Sequence, residues 1–206
     1  MGNNPFRMPL LSTLLALSLS SGFKPGYVMG RATTADGQPL AGVQVRVYGT
    51  TDAGRNADYS TRTGADGRYS IRLASGNYSV RDAIYPLNYG GRAYRLPLYL
   101  VGENNDDFDS TQGGVYNFVL KNSGLIDASK SRDDENAYFG GFVEIEARDA
   151  VDGRLTNTMP EASFVVTLTP AGKLMDGKTG RVIRASKPFT TRRKDRIIAN
   201  VPLGNY

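Results

Sequence analysis

The chain contains no cysteine, no histidine and no tryptophan among its 206 residues. Without thiols it forms no disulfides and offers no thiolate nucleophile or ligand. Without imidazole it builds no His-x-x-Glu zinc site, no Ser-His-Asp triad and no Cys-His pair. Carboxylate-only catalysis survives this exclusion. Its candidates Asp106, Asp107 and Asp109 crowd into one loop, however, rather than facing one another across a cleft. The expectation is a protein that is not an enzyme. Long apolar runs are also missing: none approaches the ~20 residues of a membrane-spanning helix. Sustained helical periodicity is absent beyond the N-terminus.

The first 22 residues have the order of an export signal. Arg7 gives a positive start, Leu10 to Leu19 is apolar apart from Ser and Thr, and Ser18 to Gly22 supplies small residues for cleavage. The competing reading is a buried N-terminal strand or helix. Export places the mature chain, from Phe23, outside the cell or in the envelope. A disulfide-free exported domain fits a bacterial envelope or surface setting.

What is abundant is turn chemistry, with 24 Gly and 10 Pro, and the periodicity between turns is that of strands. Val43, Val45 and Val47 alternate with Gln44, Arg46 and Tyr48, the pattern of a half-buried strand. Tyr69, Ile71 and Leu73 alternate with Arg68, Ser70 and Arg72. Tyr27 to Ala32 forms an opening strand, closed by the Asp36-Gly37 turn, and Tyr78 to Val80 starts another after Ser75-Gly76-Asn77. Leu96, Leu98 and Leu100 predict a further strand, which Pro97 confines to an edge or bulge because it cannot donate a ladder hydrogen bond. Val115 to Leu120 places Tyr116, Phe118 and Leu120 on one face.

Several of these segments occur in the order of a known family. Gly37-Gln-Pro-Leu-Ala-Gly-Val43, the Val-x-Val strand, Asp66-Gly-Arg-Tyr69 and Gly76-Asn-Tyr78 together resemble the carboxypeptidase regulatory-like domain. The resemblance covers about residues 27–80. It implies an all-β, small Greek-key β-sandwich of the carbohydrate-binding-like class that performs no chemistry itself. Downstream, Tyr94-Arg-Leu-Pro-Leu98, Gly114-Val-Tyr-Asn-Phe118 and Tyr138-Phe-Gly-Gly141 are similar to segments of bacterial secreted proteins that carry this module.

These readings divide the chain into a signal peptide (1–22), a sandwich with a C-terminal strand extension (23–121), a polar linker (122–136) and a second β-rich unit (137–206). In the second unit Phe142 to Ala147 and Phe164 to Thr169 are the clearest strands, and Asp152-Gly153 and Asp176-Gly177 its turns. Its last residues, Val201-Pro-Leu-Gly-Asn-Tyr206, echo the Leu73-Ala-Ser-Gly-Asn-Tyr78 corner. The second unit therefore reads as a diverged, incomplete sandwich lacking its last strand. That leaves a C-terminal sheet edge for a strand-pairing partner.

Three binding readings follow. Tyr85, Tyr89, Arg92, Tyr94, Arg95 and Tyr99 form an aromatic and basic strip. Aromatic faces stack on sugar rings while arginines hold hydroxyl or carboxylate groups, so the strip is the candidate polysaccharide face. The competing reading is tyrosines packed at strand ends. Asp106, Asp107 and Asp109 lie in a loop rich in hard oxygen ligands, the candidate calcium site. That loop has Ser110 and Tyr116 where an EF-hand counted from Asn105 needs Gly and Glu, and a solvated turn explains it equally. No other cofactor is expected. The net charge of +5 is scattered apart from Arg192-Arg193-Lys194 and nearby Arg196. Such a run is a solvated loop or edge guard, or a contact for an anionic polymer, and no nucleic-acid module is recognisable. The functional expectation is a non-catalytic exported module that binds carbohydrate. Its alternative is a structural or protein-interaction module of a surface protein.

Overall fold

The computed structural model describes residues 23–102, 107–126, 129–132, 134–146, 163–188 and 192–206. The export-signal segment, Asp106 and the Asp152-Gly153 turn lie outside these residues. The chain is all-β. Ten strands belong to two facing sheets. The first has the order β4 (Arg68–Arg72), β1 (Tyr27–Thr34), β10 (Phe118–Leu120), β7 (Tyr99–Leu100), with β9 (Gly114–Val115) also beside β1. The second has the order β3 (Asn56–Arg62), β2 (Gln44–Thr51), β5 (Gly76–Tyr89), β6 (Arg92–Pro97), with β8 (Phe108–Asp109) beside β5.

The core lies between these sheets and is filled by the expected alternation. Val43, Val45 and Val47 are fully buried, and Val28, Ala32, Tyr69 and Ile71 meet them from the first sheet. Strand alternation forces this arrangement, since every second side chain points to the same face. One polar group belongs to the core. The Thr63 hydroxyl donates to the Leu40 carbonyl at 2.6 Å and accepts the Val43 N–H at 2.9 Å. It thereby satisfies two backbone groups where the chain enters β2. Close approach is equally demanding at Gly30, where a Cβ would collide with the Tyr116 carbonyl. That carbonyl accepts the Tyr69 hydroxyl at 2.8 Å, and burial pushes the Tyr69 phenol well above its ordinary pKa.

Several strands differ from their sequence reading. The segment from Leu96 to Leu100 is split between sheets, with β6 pairing to β5 and β7 pairing to β10. Pro97 ends β6, an edge strand, and the chain changes sheets immediately after it. Val115 to Leu120 is likewise two short strands, both parallel to β1 and separated at Tyr116 and Asn117. The Asn117 side-chain carbonyl fills the gap by accepting the Arg31 N–H at 2.9 Å. The strand expected to start at Tyr78 begins at Gly76 and extends to Tyr89, 14 residues in all. It contains a bulge: Val47 opposes Val80 and Arg46 opposes Asp82, leaving Arg81 as the extra residue.

Beyond the sandwich, the described residues form two two-stranded ladders. One pairs β11 (Gly141–Glu144) with β14 (Ile197–Val201), and the other β12 (Ser163–Leu168) with β13 (Ile183–Pro188). Between sandwich and ladders, residues 122–126 are tied to the C-terminal part. Gly124 N–H donates to Asn200 Oδ1 at 2.6 Å, and Ile126 N–H donates to the Ala137 carbonyl at 2.8 Å.

Replacing Thr63 by the isosteric Val strands a buried carbonyl and a buried N–H together. Thr63→Val is expected to lower the unfolding free energy by about 2–3 kcal/mol, read from urea denaturation with an unchanged m-value.

Candidate functional site

The tyrosine strip is positioned by the β5–β6 hairpin, whose two-residue turn is Gly90-Gly91. Both glycines have positive φ, 55° and 76°, which a tight type I′ turn requires and other residues reach only at a cost. Cross-strand partners share a face, and here Tyr85 opposes Leu96, Leu87 opposes Tyr94 and Tyr89 opposes Arg92. Tyr85, Tyr89, Arg92 and Tyr94 therefore lie on the inward face. Arg95, opposite Pro86, lies on the other face, and Tyr99 belongs to the other sheet.

Tyr85 and Tyr94 pack against the core. The Tyr89 hydroxyl donates to the Lys173 carbonyl at 2.7 Å and accepts the Asn205 N–H at 3.0 Å. Its ring stands edge-on to Tyr94, with centroids 6.4 Å apart. Tyr99 meets Phe139 in a T-shaped contact at 4.3 Å. Two of the four tyrosines thus attach the C-terminal part to the sandwich, and Met175 and Leu203 pack against the core from that part.

Asp107 precedes β8 and Asp109 is its last residue. The Asp109 carboxylate accepts the Thr111 hydroxyl and the Thr111 N–H, both at 2.7 Å. These two bonds hold it below the usual carboxylate range. Among the described residues, no three Asp, Glu, His or Cys side chains come together at metal-binding distance.

A different cluster stands on the outer face of the second sheet. Strand alternation puts Arg46 and Tyr48 side by side on β2, and the β5 bulge brings Arg81 and Asp82 opposite them. The four residues line a cavity of about 330 Å³. Tyr48 is 43% exposed, and the Arg81 guanidinium lies over its ring at 4.5 Å from the centroid. That cation–π contact holds the guanidinium in place before any ligand arrives. Arg46 donates to Asp58 Oδ2 at 2.7 Å. Asp58 and then Asp82 stabilise its charge and raise its pKa. Asp82 Oδ1 is buried and has no hydrogen-bond partner. A buried acceptor without a donor carries a desolvation penalty that a ligand hydroxyl would relieve. Sequence reasoning named Arg46 and Tyr48 only as the polar side of a strand. The available signal was the parity change in β5, from Tyr78 and Val80 to Ala83, Tyr85 and Leu87, which marks a bulge.

A larger groove of about 460 Å³ crosses the outside of the first sheet, lined in part by Met29, Arg31, Arg68 and Asn117. Its arginines are already engaged through Asp66. Arg31 Nε donates to the Asp66 carbonyl at 3.1 Å, and Arg68 Nε lies 3.6 Å from the Asp66 carboxylate. None of its lining side chains carries a buried polar atom without a partner, and the Tyr48 cluster is the better-built site.

Residues 28–82, which include all four residues of that cluster, match the carboxypeptidase regulatory-like domain. This segment is a carboxypeptidase regulatory-like domain. No curated protein matches the chain. Among solved structures, the chain is similar to the dioxygenase domain of a dioxygenase–carbohydrate-binding protein fusion from the cellulolytic bacterium Streptomyces sp. SirexAA-E. That match is 19% identical, covers 50% of this chain and 83% of that one, and has a TM-score of 0.27. A 3-chlorocatechol 1,2-dioxygenase from Rhodococcus opacus 1CP is 13% identical over 49% of this chain and 62% of its own, with a TM-score of 0.26. A 9R-lipoxygenase from Cyanothece PCC8801 is 12% identical over 53% and 20%, with a TM-score of 0.26. The regulatory-like domain ends partway along β5, so the hairpin tip and the C-terminal ladders lie beyond it.

Tyr89→Phe removes both hydrogen bonds at the hairpin tip while keeping the ring. It is expected to cost about 1 kcal/mol and to raise hydrogen-exchange rates in 171–175 and 203–206, with β2 and β4 unaffected.

Proposed function

We propose that the protein is a non-catalytic carbohydrate-binding module acting outside the cell or at the envelope, with the Tyr48 cluster as its sugar-contacting surface. The observation that carries this reading is the partnerless Asp82 Oδ1 beside an exposed ring and an arginine held in position. A pyranose brings hydroxyl donors for the carboxylate, oxygen acceptors for guanidinium N–H groups and an apolar C–H face for the tyrosine. The cavity volume suits one sugar unit. The order of charge, apolar run and small residues at the N-terminus supports export, and the absence of imidazole and thiol supports a role without chemistry.

A second reading, a spacer or assembly module, draws on exposed apolar residues of the β12–β13 ladder and its approach. Val165 is 54% and Val182 58% exposed. Concentration-dependent self-association in sedimentation velocity supports that reading, and a monomer at all concentrations counts against it.

The test of the first reading is retention of the protein on insoluble polysaccharides, cellulose, chitin and peptidoglycan among them. Tyr48→Ala and Asp82→Asn are each expected to weaken retention about tenfold, equivalent to ~1.4 kcal/mol, with melting temperatures close to the parent's. Retention unchanged in both variants, or absent in the parent on every polymer, would sink the proposal.

A further inference from the structure

The junction between the sandwich and the C-terminal part holds a further, solvent-open cavity of about 460 Å³, distant in sequence from the Tyr48 cluster and independent of it. Lys121, Lys178 and Arg181 line it against a single carboxylate, Asp176. That carboxylate is turned toward its own loop, where it accepts the Lys178 N–H at 3.0 Å. The cations are partly held in place: Lys121 Nζ lies 4.5 Å over the Phe139 ring, and Lys178 Nζ is 3.5 Å from Asp36. Among them is Asn122, whose side-chain Nδ2 is buried without a hydrogen-bond partner. Its main chain is fixed, the carbonyl accepting the Leu203 N–H at 3.3 Å.

A buried NH2 group with no acceptor is rare in native structures and points to a missing partner. That partner must be an acceptor, because an amide nitrogen only donates. The surplus of cations favours an anionic acceptor, and apolar lining such as Phe139 suits a compact organic body rather than a bare ion. We infer that this cavity binds a sugar-sized organic acid, with its carboxylate received by the Asn122 amide and the flanking cations. Both parts of the chain contribute lining residues, so the bound acid bridges them.

The experiment uses D-galacturonate as probe and D-galactose as its neutral counterpart, with inorganic phosphate as the purely electrostatic arm. Each is titrated into the protein and followed by thermal shift and amide NMR. Galacturonate is expected to raise the melting temperature and move resonances in 121–125 and 174–181, while galactose does neither. Asn122→Leu removes the donor at similar volume and is expected to weaken galacturonate binding about tenfold or more. Arg181→Gln, at an exposed position, is expected to weaken it severalfold and to reduce its salt dependence. Tyr48→Ala is expected to leave it intact, which separates this site from the proposed sugar surface. The inference is overturned if galacturonate causes no shift, if galactose or phosphate acts equally, or if binding survives both the Asn122 and the Arg181 substitutions.

Discussion

One extra residue in β5 governs the arrangement of the molecule. The strand must bury Tyr78 and Val80 against β2 at its start and Ala83, Tyr85 and Leu87 at its end. Those two sets have opposite parity, so an uninterrupted strand would send one of them into solvent. Inserting Arg81 as a bulge restores the inward face. The same insertion places Arg81 over Tyr48 and turns Asp82 toward Arg46. It also determines that Tyr89, at the far end, projects to the side where the C-terminal part packs. Core, surface cluster and inter-part contact therefore share a single geometric cause.

Alternation made β1, β2 and β4 legible in sequence because each has one wet face and one dry face. Pro97 announced an edge for the physical reason that it lacks an N–H, and β6 is an edge. The strand Asn56–Arg62 carried no such signal. Its residues are nearly all polar, and its inward face offers only Ala57 and Tyr59 to the core, so the apolar alternation is too sparse to read, while its ladder with β2 fixes its place. The switch of sheets after Pro97 was equally hidden, since Leu96, Leu98 and Leu100 keep a perfect period of two through the corner while their backbone partners change. The surface cluster was obscured for a related reason. Composition singled out the stretch with the most tyrosines, whereas the residues that converge come from strands separated by about thirty positions and meet only through pairing.

Tyrosine takes over here a part that disulfides play in many small β domains. The overhanging β5–β6 hairpin and the C-terminal segment are joined by a phenol that both donates and accepts, and by an edge-to-face ring contact at Tyr99 and Phe139. Each contact is modest alone. Together with Met175 and Leu203 against the core, they fix two stretches far apart in the chain without covalent chemistry.

The parallel pairing of β1 with β10 has a kinetic meaning. Arg31 and Asn117, bonded across that pairing, are separated by 86 residues. A central strand that acquires one neighbour so late gives the sheet a high contact order, and chains of that kind close slowly. During synthesis β1 emerges first and waits, paired at most with β4, until nearly the whole sandwich has followed. The first sheet thus stays open on one side of its central strand until β10 arrives.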